Sequence, residues 1–330
     1  MGSEENLKHG GDRPLPKVSV TVITYNHGSW LAECLESIVT QETTFPFEVI
    51  VGDDASTDGV TQEILRGYGI RYPNIIVPVF RKTNISGIQN YLDVVRRTRG
   101  EYIAHIDGDD MMLPGKLQKQ SNFLDQNIDC SLVAHNVKTI TGNGELISNH
   151  FVDFEVPRKA DINYLCLRGC YFAGTSKMYR RSSMISEFRD RRTIDLFFHF
   201  EQASNGKIGY LDETLGVYRK SSLSATDPMS AIAATTEQAM YDAFRRAEEL
   251  GVDSSIVKRA ELSVAYARAV SSLFRGNYDA FKNTISISKD HEKYAGFKHR
   301  ILNLLKDKPF AIRFLMKLKR MVAPGFMRVA

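Results

Sequence analysis

Hydrophobic and polar positions along the first 130 residues follow two alternating periods. Residues 17–25 (KVSVTVITY) are rich in β-branched side chains and read as a strand buried on at least one side. Over residues 29–41 the apolar side chains Trp30, Leu31, Cys34, Leu35 and Ile38 recur at helical spacing. Residues 47–52 (FEVIVG) predict a second strand, closed by a polar turn running from Asp53 to Gly59. Helix 60–72, strand 75–80, helix 88–97 and strand 102–106 continue the alternation. Strands alternating with helices of this length predict an α/β fold with a mostly parallel sheet flanked by helices, because crossovers are right-handed.

The pattern changes after residue 128. Residues 130–139 read as a strand, and Thr141-Gly142-Asn143-Gly144 as the turn of a hairpin. Short elements lead to a strand-like segment over 209–219. Segments 231–250, 254–274 and 278–288 then carry apolar residues every three to four positions. Ser221, Ser222, Ser224, Asp227 and Pro228 have the composition of a linker. Three regions are therefore expected: a disordered leader over 1–16, an α/β domain over 17–225, and a helical C-terminal region over 226–330.

Composition narrows the possibilities. A chain of 330 residues with 43% hydrophobic and 25% charged residues can bury a sizeable core. The net charge of +4 is too mild for a general nucleic-acid surface. Four scattered cysteines (Cys34, Cys130, Cys166, Cys170) suit a reducing compartment better than a disulfide framework. No signal peptide opens the chain, and no apolar run approaches the ~18 residues of a membrane span. The reading is a cytoplasmic protein. Residues 308–330 carry six basic residues and no acid, and Phe310, Phe314, Leu318 and Met321 would share one helix face. Such a basic amphipathic tail suits either the inner face of an anionic membrane or packing on the preceding helices.

Open parallel sheets bind ligands beyond the carboxyl ends of their strands. Three predicted strand ends carry clustered polar residues: Thr24-Tyr25-Asn26, Asp53-Asp54-Ala55-Ser56 and Asp107-Gly108-Asp109-Asp110. Three carboxylates within four residues repel one another unless a cation or hydrogen-bond donors offset the charge. A solvated turn capping the helix that starts near Pro114 is the plainer reading. A hard divalent cation, Mn²⁺ or Mg²⁺, shared with phosphate is the functional one. Neither G-x-x-x-x-G-K-[ST] nor G-x-G-x-x-G occurs, which argues against a P-loop and against a dinucleotide dehydrogenase.

VSVTVITYNHGSWLAECLESIVTQ, FEVIVGDDASTDGV and GEYIAHIDGDDMMLPGKL, in this order and spacing, resemble family 2 glycosyltransferases of the GT-A fold. The resemblance covers residues 17–225. It implies a nucleotide-sugar donor, most often a UDP-sugar, a divalent metal, and inversion at the anomeric carbon. It also implies that Asp54 accepts a hydrogen bond from the base, with Thr24 and Tyr25 lining the nucleoside pocket. Asp107 would approach the ribose and Asp109 the metal, with Asp110 in support. Arg81 or Lys82, and Arg219 or Lys220, would approach the donor's charged groups. Asp195 matches the family's general base, although Ile194 replaces the usual residue before it; it also suits the N-cap of a helix over 196–203. The implied acceptor is a glycan or a lipid-linked glycan, in bacterial surface polysaccharide or glycan assembly. A sugar-phosphate nucleotidyltransferase would share the α/β start and the metal but needs a glycine-rich basic loop after the first strand, where Asn26-His27-Gly28-Ser29 stands. A degenerate, non-catalytic glycan-binding module would be expected to have lost Asp54, Asp107, Asp109 or Asp195.

Overall fold

The computed structural model describes residues 15–184, 195–220, 233–286, 297–308, 310 and 312. They belong to two compact units, one of residues 1–165 and 170–243, the other of residues 166–169 and 244–330.

In the first unit β1 (Val18–Thr24), α1 (Trp30–Val39), β2 (Phe47–Asp53), α2 (Thr61–Arg71), β3 (Ile76–Phe80), α3 (Gly87–Arg96) and β4 (Tyr102–Asp107) alternate as the periodicity predicts. Their strands lie in the order β3-β2-β1-β4, every pairing parallel. Alternation along β1 sends Val18, Val20 and Val22 into a core shared with Leu31, Cys34, Leu35 and Ile38 of α1. Ser19 and Thr21 point to the opposite face and are equally buried. There Ser19 donates to Glu48 at 2.7 Å, and Arg99 donates to the same carboxylate, which satisfies a polar trio beneath the sheet.

The chain continues through β5 (Met111–Met112), α4 (Lys116–Gln126), β6 (Cys130–Thr141), β7 (Leu146–Ser148), β8 (Lys159–Ala160), α5 (Ile162–Arg168), β9 (Met178–Arg180), α6 (Asp195–Ala203) and β10 (Lys207–Lys220). Beyond β4 the sheet runs β9-β6-β10-β5, and β9 is antiparallel to both of its neighbours. The hairpin expected around residues 141–144 joins β6 to β7, with Gly144 N–H donating to Thr141 O at 3.0 Å. β9 is only three residues long, so its reversed direction leaves no periodic trace in the sequence.

The second unit contains α8 (Ser254–Arg275), α9 (Tyr278–Ser286) and α10 (Phe297–Leu304); α7 (Ala233–Glu249) begins before the division and ends after it. Asp253 accepts from Ser255 N–H at 2.8 Å and caps α8. Ala269, Leu273, Phe281, Ile285, Leu302 and Ile312 form the core of this unit. Among the described residues no helix is long and apolar enough to cross a membrane. The expected leader (to residue 14), the linker at 222–228 and the tail beyond Ile312 lie outside the described residues.

Candidate functional site

Register brings the polar strand ends together. Thr24 pairs with Asp53, and Ile23 pairs with Asp107, so three neighbouring parallel strands finish level at one edge. The loops leaving that edge are tied to one another. Asn26 Oδ1 accepts from Thr57 N–H at 2.7 Å, and Asp58 accepts from Gly28 N–H at 3.1 Å. Asp58 also accepts from Thr61 N–H at 3.0 Å, the helix-start chemistry expected of it. Asn26 and Ala55 both have positive φ, of 54° and 61°. For Ala55 this conformation costs about 1 kcal/mol, and such strain clusters at functional sites.

Asp54 is buried, and its Oδ1 accepts from Ile85 N–H at 2.8 Å. Thr24 is buried beside the acid turn, while Tyr25 is 43% exposed. Thr24 Oγ1 and His27 Nδ1 are buried without a hydrogen-bond partner among the described residues. Between them passes Gly108, where a Cβ would stand 2.7 Å from His27 Nδ1 and 2.9 Å from Thr24 Cβ, so only glycine fits.

The acid turn is unevenly compensated. Burial pushes Asp107 up, but His105, whose Nε2 lies 3.4 Å from Oδ1, together with His27 and Lys177, holds it below the usual carboxylate range. Asp109 is raised by burial and by Asp107, against the pull of His27 and Arg219. Asp110 is wholly buried and raised further, by burial and then by Asp109 and Asp107. Its Oδ1 accepts from Arg219 N–H at 2.8 Å. The buried ammonium of Lys116 lies within electrostatic reach of Asp110 and donates to Thr175 O at 2.6 Å. The turn thus holds more negative charge than its donors offset.

A hard cation at Asp109 fits that imbalance, because its other ligands can be water and phosphate oxygens. Among the described residues no three His, Cys, Asp or Glu side chains converge into a ready-made ligand set. The chain by itself therefore offers a partial site that a phosphate-bearing ligand would complete.

The two arginines read from sequence as donor contacts are held by protein groups. Arg81 forms an ion pair with Asp93 and reaches Asn90 Oδ1 at 3.4 Å. Arg219 donates to Asp109 O at 2.9 Å and Gly142 O at 3.1 Å, binds Glu33, and lies 5.5 Å from the Trp30 ring centroid. In this structure Arg219 braces the backbone of the acid turn.

Asp195 opens α6 and is exposed; a Cβ on Gly174 would lie 3.1 Å from its Oδ2. Tyr91 feels both Asp195 and Asp107, and so does Lys177, which brings the carboxylate at the start of α6 into the electrostatic surroundings of the acid turn. His105 and His27 also border the turn, beside Asp107 and Gly108 respectively. Strand alternation was the available signal for His105, since positions 105 and 107 share one face of β4.

Glycosyl transferase family 2 matches residues 19–188 of the chain. An uncharacterized Mycobacterium tuberculosis protein is 36% identical over 205 residues, 62% of this chain and 58% of that relative. The match therefore spans less than two thirds of the relative's own length. The poly(ribitol-phosphate) beta-glucosyltransferase of Bacillus spizizenii is 34% identical over 134 residues, 39% of this chain and 20% of that protein. The structure of S. aureus TarS in complex with UDP-GlcNAc superimposes with a TM-score of 0.62 at 18% identity, covering 89% of this chain and 87% of that one. The mannosyltransferase PcManGT of Pyrobaculum calidifontis, in complex with GDP-Man and Mn²⁺, gives 0.55 at 17% identity, covering 90% and 85%. The match over more than half of the chain, on a sheet whose parallel strands end in the polar edge described above, places it: the chain belongs to glycosyl transferase family 2 and has the GT-A type of fold.

Proposed function

We propose that this chain is an inverting glycosyltransferase that moves a sugar from a nucleoside diphosphate, with UDP the favoured nucleotide, onto an acceptor hydroxyl. The observation that carries the reading is the single edge at which Thr24, Asp53-Asp54 and Asp107 to Asp110 finish side by side. Thr24, Tyr25 and Asp54 serve the nucleoside, Asp54 accepting from the base, and Asp107 serves the ribose. Asp109 holds a divalent metal, Mn²⁺ or Mg²⁺, with Asp110 behind it. A divalent metal held there would supply charge stabilisation to the leaving nucleoside diphosphate. Asp195 takes the proton of the acceptor hydroxyl as the new bond to the anomeric carbon forms. The bond to the diphosphate oxygen breaks on the opposite face, its electron pair leaving with the nucleoside diphosphate, so the configuration inverts.

The family membership and the relative acting on poly(ribitol-phosphate) support a glycan or lipid-linked acceptor in bacterial surface polysaccharide assembly. The basic tail supports peripheral attachment at the inner membrane face, with each basic side chain adding about 1 kcal/mol near an anionic surface. Co-sedimentation with anionic vesicles should fall when the chain is cut after Asp307. Equal failure of both forms to bind would discard the membrane reading.

A melting-temperature screen of UDP-, GDP- and dTDP-sugars, with and without Mn²⁺, tests the function, because a ligand that binds only the folded state raises the midpoint. A metal-dependent rise with one nucleotide sugar, followed by its hydrolysis or transfer, is the expected result. Silence across the whole set would overturn the proposal.

A further inference from the structure

The segment leading into β9 makes one 3₁₀ turn, Gly174–Ser176, and every backbone carbonyl from Ala173 to Lys177 has a hydrogen-bond donor. Two of those donors stand one turn apart on α4. Lys116 Nζ donates to Thr175 O at 2.6 Å, and Gln120 Nε2 donates to Ser176 O at 2.8 Å and to Val133 O of β6 at 3.1 Å. His105 N–H of β4 donates to Lys177 O at 3.3 Å, Lys177 N–H donates to Gly174 O at 3.4 Å, and Ser176 Oγ closes the turn on Ala173 O at 2.7 Å. Lys116, Gln120, Thr175 and Ser176 are all buried, so these carbonyls have no water to turn to if a donor is lost. The turn is pinned from α4 on one side and from β4 on another.

Asp195, at the start of α6, stands against this turn at Gly174. A Cβ built on Gly174 would lie 3.1 Å from Asp195 Oδ2 and 3.7 Å from its Cγ, and among the described residues nothing else beyond the turn itself would come within 4 Å. Gly174 is not among the glycines with positive φ, so its backbone conformation suits any residue. What a side chain at this position would change is the room left for one carboxylate.

We propose that Gly174 is a positioning residue: its missing side chain lets the Asp195 carboxylate settle on a turn that α4 and β4 hold in place, and so sets where that carboxylate meets an acceptor hydroxyl. This inference rests on the reading of Asp195 as the base. A contact of 3.1 Å is closer than carbon and oxygen ordinarily approach, so one of the two must give. The turn is pinned and Asp195 is exposed, so the carboxylate moves. Proton abstraction needs the two heavy atoms within about 2.6–3.2 Å, and misplacement by about 1 Å costs up to about 10²-fold.

The test puts the methyl group in. G174A and the bulkier G174V are made in the full chain, each alone and together with D195N. Turnover is followed as release of nucleoside diphosphate from whichever nucleotide sugar raises the melting temperature in the presence of Mn²⁺. G174A should lower kcat about three- to tenfold and G174V further, with donor KM within about twofold. The unliganded melting temperature of G174A should equal or exceed that of the wild type, because alanine replaces glycine at an ordinary φ. A slower enzyme that is no less stable is a result that a merely structural role does not give. On the D195N background G174A should change the residual kcat little, since the carboxylate through which it acts is gone. Wild-type kcat in G174A and G174V would overturn the proposal, as would an equal loss on both backgrounds or a raised donor KM with kcat unchanged. A markedly lower melting temperature of G174A would overturn it too, because the methyl group would then be disturbing more than one carboxylate. Wild-type turnover in D195N is a different failure, removing the base reading on which the proposal stands.

Discussion

In the parallel half of the sheet, Thr24, Asp53 and Asp107 reach one edge because β1, β2 and β4 run in the same direction and in register. In the half containing β9, β6 and β10, the candidate side chains come from irregular places. Lys177 precedes a three-residue strand, Asp195 starts a short helix, and Arg219 stands one residue before the end of β10. Register positions the first group together, and local bonds such as those from Ser56 and Gln62 to Asp53 add to it. The second group is held residue by residue: Lys177 by two tyrosine rings, Arg219 by Asp109 O, Gly142 O and Glu33. Substitutions in the parallel half should therefore change chemistry with little loss of fold, whereas those in the other half should mix the two effects.

The sharpest test of that contrast is D109N. Turnover should fall by about 10³-fold or more, since charge stabilisation at the leaving group is among the largest catalytic contributions. Melting temperature without ligands should stay near that of the wild type, because burial and Asp107 already disfavour the Asp109 carboxylate. Metal-dependent donor binding, read as the melting shift with Mn²⁺, should vanish. Retained turnover would end the assignment of Asp109.

D195N follows, with turnover expected to drop about 10²-fold or more and donor binding preserved. Collapse of donor affinity, with a normal rate at saturating donor, would put Asp195 on the donor side.

What could be read in advance follows the same division. Alternating periods and the polar strand ends are properties of contiguous segments, so β1 to β4 and the acid turn were legible from the chain. Direction reversal at β9 was not, because Met178-Tyr179-Arg180 is short and gains its meaning from Tyr102 and Val133 beside it. The family resemblance implied that Arg219 or Lys220 approaches the donor's charged groups. The position of Arg219 against Asp109 O depends on β10 pairing with β5, a contact between segments a hundred residues apart. The burial of Lys177 against the Tyr91 and Tyr179 rings is likewise a tertiary fact with no local signature.

R219M tests the brace. Loss of the guanidinium leaves Asp109 O and Gly142 O without these donors, which should lower unfolding free energy by about 2 kcal/mol. Urea titration measures it. An unchanged midpoint together with a weakened donor-induced melting shift would return Arg219 to the diphosphate.

The smallest expected effect concerns two histidines in the less regular half. Burial holds His135 on β6 and His199 on α6 well below their ordinary value of 6.5; Lys116 adds to the effect at His135, Lys177 and His105 at His199. Above that value both are neutral whether the chain is folded or not, so neither affects stability. Below it the unfolded chain gains two protons that the native state refuses. Stability therefore falls as pH drops through 6.5 and continues to fall toward the lowered native values, by about 1.4 kcal/mol per pH unit for each histidine. Unfolding free energies of the wild type and of H135Q and H199Q, compared by urea titration at pH 7 and at about 5.5, should show a flatter pH slope in each variant. The tilted ring contact of His199 with Phe172, with centroids 4.5 Å apart, means that H199Q also loses a constant, pH-independent amount. The slope and not the offset is thus the diagnostic quantity. A slope in both variants identical to that of the wild type would mean that acid sensitivity arises elsewhere, and the division between a register-built edge and a residue-by-residue half would lose its support from titration.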